Sequence, residues 1–406
     1  MSGLVIEFQF GLSWSGLSKF AGNVFGAPVA LETLVAFFAE STFLGMWIFG
    51  WGRLSKGVHV TLIWLVTVTA YASAYWIMVA NGFLQHPVGY EVRDGRAYLT
   101  DFGALLGNPN AVIAVGHIAA AALLTGGLFV AGISAFHLVR RAAERDFFSR
   151  SLRLGVMTAA LVSFPVYVVG AMQYPVLGET QPMKLAALGP AEGTTALATQ
   201  LAQQYGPGDY VPPAWIAHAQ NTMLYLGYLM FIVAAVAALL VYRAWLRRHV
   251  PVAILVVAAV AYPVGEFVGG LIYGEAGPNA WLIYALCLVG LGALVLVSDH
   301  LMHWRRGAYL MVAMIPVPFV ASIGGWLFRE GGRQPWIVYG ELAVRDALSP
   351  VSTASMVFSL VAFLAVLLTL MVVNWVLIVR FVRRGPAGTQ LGASPAPLAK
   401  QPVPTF

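Results

Sequence analysis

Residues 360–379 read LVAFLAVLLTLMVVNWVLIV, with only two polar residues, Thr369 and Asn374, in twenty. Twenty residues at 1.5 Å each make a helix about 30 Å long, the thickness of a bilayer's hydrocarbon core. A barrel strand would alternate polar and apolar over about ten residues, so this stretch predicts a transmembrane α-helix. Similar runs recur along the chain, and the composition agrees. Hydrophobic residues make up 59% and charged residues 10% of the 406, whereas roughly a quarter of residues in soluble domains are charged. The predicted fold class is an all-α polytopic transmembrane helix bundle. Complete spans are expected near 28–51, 58–83, 109–138, 153–174, 215–242, 251–273, 280–303, 308–329 and 352–381, about nine in all.

The formal charge of +6 does not call for nucleic acid, because the basic residues gather in alternate short loops. On this reading 16 of the 23 lie on the cytoplasmic side, among them Arg53, Arg140, Arg145, Arg243, Arg305 and Arg380, as the positive-inside rule requires. The C-terminus is then cytoplasmic. The single cysteine, Cys287, offers neither a disulfide framework nor a thiolate metal site. Two long non-cytoplasmic loops, at about 83–108 and 174–213, are candidates for function. The tail from 385 to 406 is rich in Pro, Ala and Gly and is expected to be disordered. Leu4–Phe10 is too short to span and reads as the end of a helix begun upstream, so an N-terminal truncation is expected.

Ionisable groups within spans are functional hypotheses. Glu32 and Glu40 share one span, eight residues apart, and could relay protons, with Ser73 on the next span extending the path. The bland alternatives are structural pairing for the acids and back-bonding for the serine. His117 and Met223 lie at matching depths in two spans. Imidazole and thioether can be the axial pair of a haem iron, although a lone His is as readily a core residue and a Met a filler. Glu330, before Gly331–Trp336, could be a ligand or a proton acceptor, or simply an ion-pair partner of Arg329 or Arg333. His59, His137, His249, His300 and His303 sit near helix ends and are read as structural. Glu266 has no assigned role.

Longer strings carry a resemblance. IEFQFG at Ile6–Gly11, FGAP at Phe25–Pro28, LETLVAFFAEST at Leu31–Thr42, FGWGRL at Phe49–Leu54, WIMVANG at Trp76–Gly82, QPMKLAA at Gln181–Ala187 and GRQPW at Gly332–Trp336 resemble subunit I of the cytochrome bd ubiquinol oxidases. The resemblance implies a haem-bearing subunit that passes electrons from quinol to a di-haem site where oxygen is reduced to water. By position it implies His117 and Met223 as ligands of a low-spin haem b, and Glu330 as ligand of a high-spin haem. A further haem d or b completes the set. Trp326 packs among the haems, Arg333 belongs to the same motif, Glu32, Glu40 and Ser73 form a proton path, and Lys184 takes part in quinol oxidation. It implies a multi-pass protein of a bacterial or archaeal cell membrane, one domain over 1–384 with a quinol loop at about 175–213. The implied partners are subunit II and a small single-span subunit.

The sequence departs from the family in four places. Gly189 stands where the family has a glutamate, with Glu192 nearby, and Asn221 stands where it has an arginine. Residues 251–303 look like two inserted spans, and the family's first helix with its haem-ligating histidine has no counterpart. Two rival readings follow: an oxidase with a non-quinol donor, and a haem-free or ion-transporting membrane protein using Glu32, Glu40 and Glu266.

Overall fold

The computed structural model describes residues 9–140, 144–273 and 305–385, with most of 243–273 and residues 305–306 given as backbone alone. The expected span at 280–303, Cys287, His300, His303 and the tail beyond 385 lie outside the described residues, and so does the side chain of Glu266. Among the described residues seven helical stretches are long and apolar enough to cross a membrane: Ser15–Phe49, Lys56–Gln85, Phe102–Val139, Arg145–Thr180, Trp215–Tyr242, Gly307–Gly331 and Thr353–Arg384. The chain divides into two compact units.

The first unit comprises residues 1–80, 90–100 and 347–406. Helix α1 (Ser15–Leu31) buries Leu17, Phe20, Ala21, Val24, Phe25 and Pro28, a spacing of three and four that makes one apolar stripe. It packs on strand β2 (Arg96–Leu99), which pairs antiparallel with β1 (Tyr90–Arg93) through a turn at Asp94 and Gly95, both at positive φ. The first span therefore starts at Ser15, not at 28. The added turns carry an amphipathic stripe and no unbroken apolar run, and Pro28 is carried inside the helix instead of opening it. The chain continues as a π-helical segment at Glu32–Phe37 and helix α2 (Phe38–Phe49). Helix α3 (Lys56–Gln85) supplies Ser73. Helix α14 (Thr353–Arg384) has no buried residue in its apolar window, as expected of a helix whose faces meet lipid. His59 Nε2 donates to the Trp47 carbonyl (2.9 Å) and the ring stacks on Trp47, a structural role.

The second unit comprises residues 81–89 and 101–346. Its elements are α4 (Phe102–Leu106), α5 (Pro109–Val139), α6 (Arg145–Ala171), α7 (Gln173–Thr180), α8 (Pro182–Ala186), α9 (Ala191–Tyr205), α10 (Trp215–Tyr273), α11 (Arg305–Ala313) and α12 (Val317–Gly331), then β3 (Trp336–Val338), β4 (Leu342–Ala343) and α13 (Val344–Ala347), whose last residue falls in the first unit. Asn108 caps α5, its side chain accepting from Asn110 N, and Pro109 takes the first turn, where no donor is needed. Helices α5 and α6 approach so closely that a Cβ on Gly155 would stand 2.6 Å from the Gly127 carbonyl oxygen, the small-residue contact expected between membrane helices. The core joins Leu124, Leu128, Ala131 and Ala135 of α5, Val156 and Ala159 of α6, Met230, Val233 and Ala234 of α10, Met311 and Met314, and Ala321 of α12. His137 stacks on Phe148 at 4.2 Å, a packing role.

Helix α10 runs unbroken through 243–250, where the sequence reading places a cytoplasmic loop between two spans. Arg and His are both compatible with a helical interior, so their presence at 243–250 does not end the helix.

Candidate functional site

Four segments of the second unit converge on one carboxylate. The last turn of α3 brings Asn81 and Gln85, four residues apart and therefore on one face. The last turn of α12 brings Arg329 and Glu330, the following loop Arg333, and α8 Lys184. Glu330 Oε1 accepts from Asn81 Nδ2 at 2.8 Å and from Gln85 Nε2 at 3.2 Å, while Oε2 pairs with Arg333 Nη2 at 2.6 Å. Arg329 donates instead to Asn81 Oδ1 at 2.7 Å and to the Asn110 carbonyl at 2.9 Å. Of the two ion-pair partners open to Glu330 in the sequence, Arg333 is the one it takes.

Lys184 is 1% exposed. Its Nζ donates to Gln85 Oε1 at 2.8 Å and to the Arg329 carbonyl at 2.9 Å. Gln181 Nε2 braces the same amide, donating to the Gln85 carbonyl at 2.5 Å and to Oε1 at 3.0 Å. Burial pushes the Lys184 amine well below the usual lysine range; the Arg329 and Arg333 guanidinium groups push the same way, and Glu330 offsets part of it. Burial likewise lowers Arg333, with Glu330 opposing.

Two guanidinium groups and an amine thus gather around a single carboxylate. Arg333 is 4% exposed, and its Nε and Nη1 have no hydrogen-bond partner among the described residues. Buried donors without acceptors are costly, and a cation-rich cluster with spare guanidinium N–H groups suits the carboxylate arm of a cofactor such as a haem propionate. Trp326, 41% exposed, lies one turn before Glu330 on nearly the same face of α12.

The other ligand candidates also have built surroundings. His117 Nδ1 lies 3.0 Å from the Val166 carbonyl on α6. That contact fixes Nδ1 as the N–H donor and leaves Nε2 with its lone pair, the state in which a histidine binds a metal. A Cβ on Gly170 would stand 3.0 Å from His117 Cε1, so the glycine leaves room for the ring. Met223 on α10 faces α12 at Gly325, where a Cβ would stand 2.7 Å from the thioether sulfur. The residues present therefore fit haem.

In the first unit Ser73 Oγ donates to Glu32 Oε1 at 2.6 Å, and Thr33 Oγ1 lies 3.2 Å from Oε2. Glu32 opens the π-helical segment, a feature frequent at functional sites. Eight residues of α-helix leave two side chains about 80° apart. A π segment turns less per residue and closes that angle between Glu32 and the half-buried Glu40.

A model described as "Cytochrome bd terminal oxidase subunit I" matches residues 1–203 and 278–386. The chain belongs to the cytochrome bd terminal oxidase subunit I family. It is 34% identical over 95% of its length to "Cytochrome bd ubiquinol oxidase subunit 1" of Bacillus subtilis, covering 80% of that protein. It is 29% identical over 96% of its length to "Cytochrome bd-II ubiquinol oxidase subunit 1" of Escherichia coli, covering 85% of that protein. Its fold is similar to the bd oxidase of Geobacillus thermodenitrificans, with a TM-score of 0.67 at 23% identity, over 95% of this chain and 84% of that one. As a bd-type subunit I, the chain is a multi-pass membrane protein. The family match skips 204–277, a gap that contains Met223.

Asn81, Gln85 and Arg329 have no place in the functional reading of the sequence. A signal existed: two amides four apart near the end of an apolar helix face one way, and polar groups at such a place need partners.

Proposed function

We propose that this chain is the haem-bearing, quinol-oxidising subunit of a bd-type terminal oxidase in a bacterial or archaeal cell membrane, assembled with subunit II and a small single-span subunit, with its C-terminus cytoplasmic. The observation that carries the reading is that Lys184 and Glu330, matched separately to the family's quinol and haem positions, share one hydrogen-bonded cluster, a single amide apart.

His117 Nε2 and Met223 Sδ would hold a low-spin haem b and the Glu330 carboxylate a high-spin haem, with Trp326 packed beside them and Arg333 holding a propionate; a third haem, d or b, completes the set. When bound, haem supplies one-electron transfer and oxygen binding. The chain's own part is to place protons and charges. A neutral Lys184 amine has two N–H donors, both used by Gln85 and Arg329, and a lone pair left to accept a proton from a quinol hydroxyl. Its depressed proton affinity favours that neutral form. The loop at 175–213 would carry the quinol site. Ser73 and Glu32, already hydrogen bonded, and Glu40 would lead protons inward from the cytoplasmic side.

Steady-state turnover of the purified complex tests this. Lys184→Ala raises the apparent KM for quinol by about tenfold or abolishes turnover, with haem content intact. Unchanged kinetics would favour a second reading, an oxidase with another electron donor, for which Gly189, Asn221 and the 1% exposure of Lys184 speak.

A further inference from the structure

Gln85 is 1% exposed, and every polar atom of its side chain is engaged. Its orientation is forced by its neighbours. The Lys184 side chain donates and an ionised Glu330 only accepts, so Oε1 must face the lysine and Nε2 the carboxylate. Gln181 Nε2 locks that arrangement by bonding both Oε1 and the main-chain oxygen of Gln85. The second bond also satisfies a carbonyl in the last turn of α3, where no helical partner exists. A residue needed only for packing would be apolar here. A carboxylate could serve the lysine but would repel Glu330, and a cation could serve Glu330 but would repel the lysine. An amide of this length serves both at once.

We infer that Gln85 is a positioning residue that sets Lys184 and Glu330 at fixed places by one amide, its oxygen holding the lysine of the loop and its nitrogen holding the carboxylate at the end of α12. The other link among the described residues runs from Nζ to the Arg329 carbonyl, a main-chain atom. Gln85 is therefore the side chain through which a substitution can separate the two groups. This rests on the proposed roles of Lys184 in quinol oxidation and Glu330 in haem ligation, but its two halves can be read independently.

The test compares Gln85→Leu, Gln85→Glu and Lys184→Met in the assembled oxidase, measuring KM and kcat for quinol and the absorbance of the low-spin and high-spin haems. Gln85→Leu loses both contacts, so KM rises about tenfold with a smaller change in kcat, and the high-spin band shifts. Gln85→Glu keeps an oxygen for Lys184 and sets a second carboxylate against Glu330. KM then stays within about threefold, while the high-spin band shifts and the low-spin band does not. A purely structural glutamine would move both haem bands together or neither.

If Gln85→Leu does not assemble, the isosteric Gln85→Glu decides by its spectrum. If Lys184→Met raises KM while both Gln85 variants keep wild-type KM and spectra, the inference is overturned and the role of Lys184 stands. If Lys184→Met leaves KM unchanged, the quinol role of the lysine falls instead. The high-spin band of Gln85→Glu then judges Gln85 alone: shifted, it retains its hold on Glu330; unshifted, the inference fails.

Discussion

Replacing Gly170 by alanine tests the haem seat without touching a ligand. In a helix interior the change should favour folding by about 0.5–1 kcal/mol, because alanine loses less conformational freedom than glycine. The new Cβ would stand 3.0 Å from His117 Cε1 and 3.2 Å from Nδ1. Ordinary carbon contacts begin near about 3.5 Å, so the ring must retreat by roughly 0.5 Å. That retreat strains the 3.0 Å contact from Nδ1 to the Val166 carbonyl, which fixes the tautomer of His117, the proposed ligand. Loss of such a supporting bond typically weakens metal binding by about 10- to 100-fold, or roughly 1.4–2.8 kcal/mol. Stability and haem affinity are thus expected to move in opposite directions, which separates this effect from general damage. Haem content by pyridine haemochrome, the low-spin band and the unfolding temperature are measured against Gly126→Ala on α5, where an added Cβ meets nothing within 4 Å. Gly170→Ala should lose low-spin haem and keep its unfolding temperature. If it retains the full low-spin band like the control, His117 is not the ligand.

Two further outcomes follow from the same geometry. Met223→Leu keeps volume and apolarity but removes the thioether, so the low-spin haem should lose its six-coordinate spectrum and its potential should fall; a full low-spin band in the variant would free Met223 of that role. Burial lowers the Lys184 amine below its unfolded value, so between the depressed folded value and about 10.4 the unfolded chain binds more protons and stability rises with pH. The difference in unfolding temperature between wild type and Lys184→Met should therefore change across this window in favour of wild type as pH rises, and a flat difference would contradict a depressed amine.

The spans were legible because a bilayer demands about twenty apolar residues in a row, and His117, Met223 and Glu330 stand out as candidates because polar or soft groups at membrane depth are few. The amphipathic α1 was not, since its stripe from Leu17 to Pro28 has meaning only against the hairpin it covers. The hairpin itself was available: Asp94–Gly95 between short β-prone segments is a strong turn signal inside the long loop expected at about 83–108. The cluster around Glu330 could not be assembled from sequence, because Asn81, Gln85, Lys184 and Arg333 come from segments far apart in the chain. Their types announced a need for partners without naming them.

This subunit is proposed to take electrons from quinol and deliver them to oxygen by way of haem held at His117, Met223 and Glu330. The most direct test is the absorbance of the purified complex as quinol is added without oxygen and air is then admitted. Quinol alone is expected to produce the reduced low-spin and high-spin bands, and air to abolish them while quinol is consumed. A complex without haem absorbance, or one whose haems are reduced by dithionite but not by quinol, would contradict it.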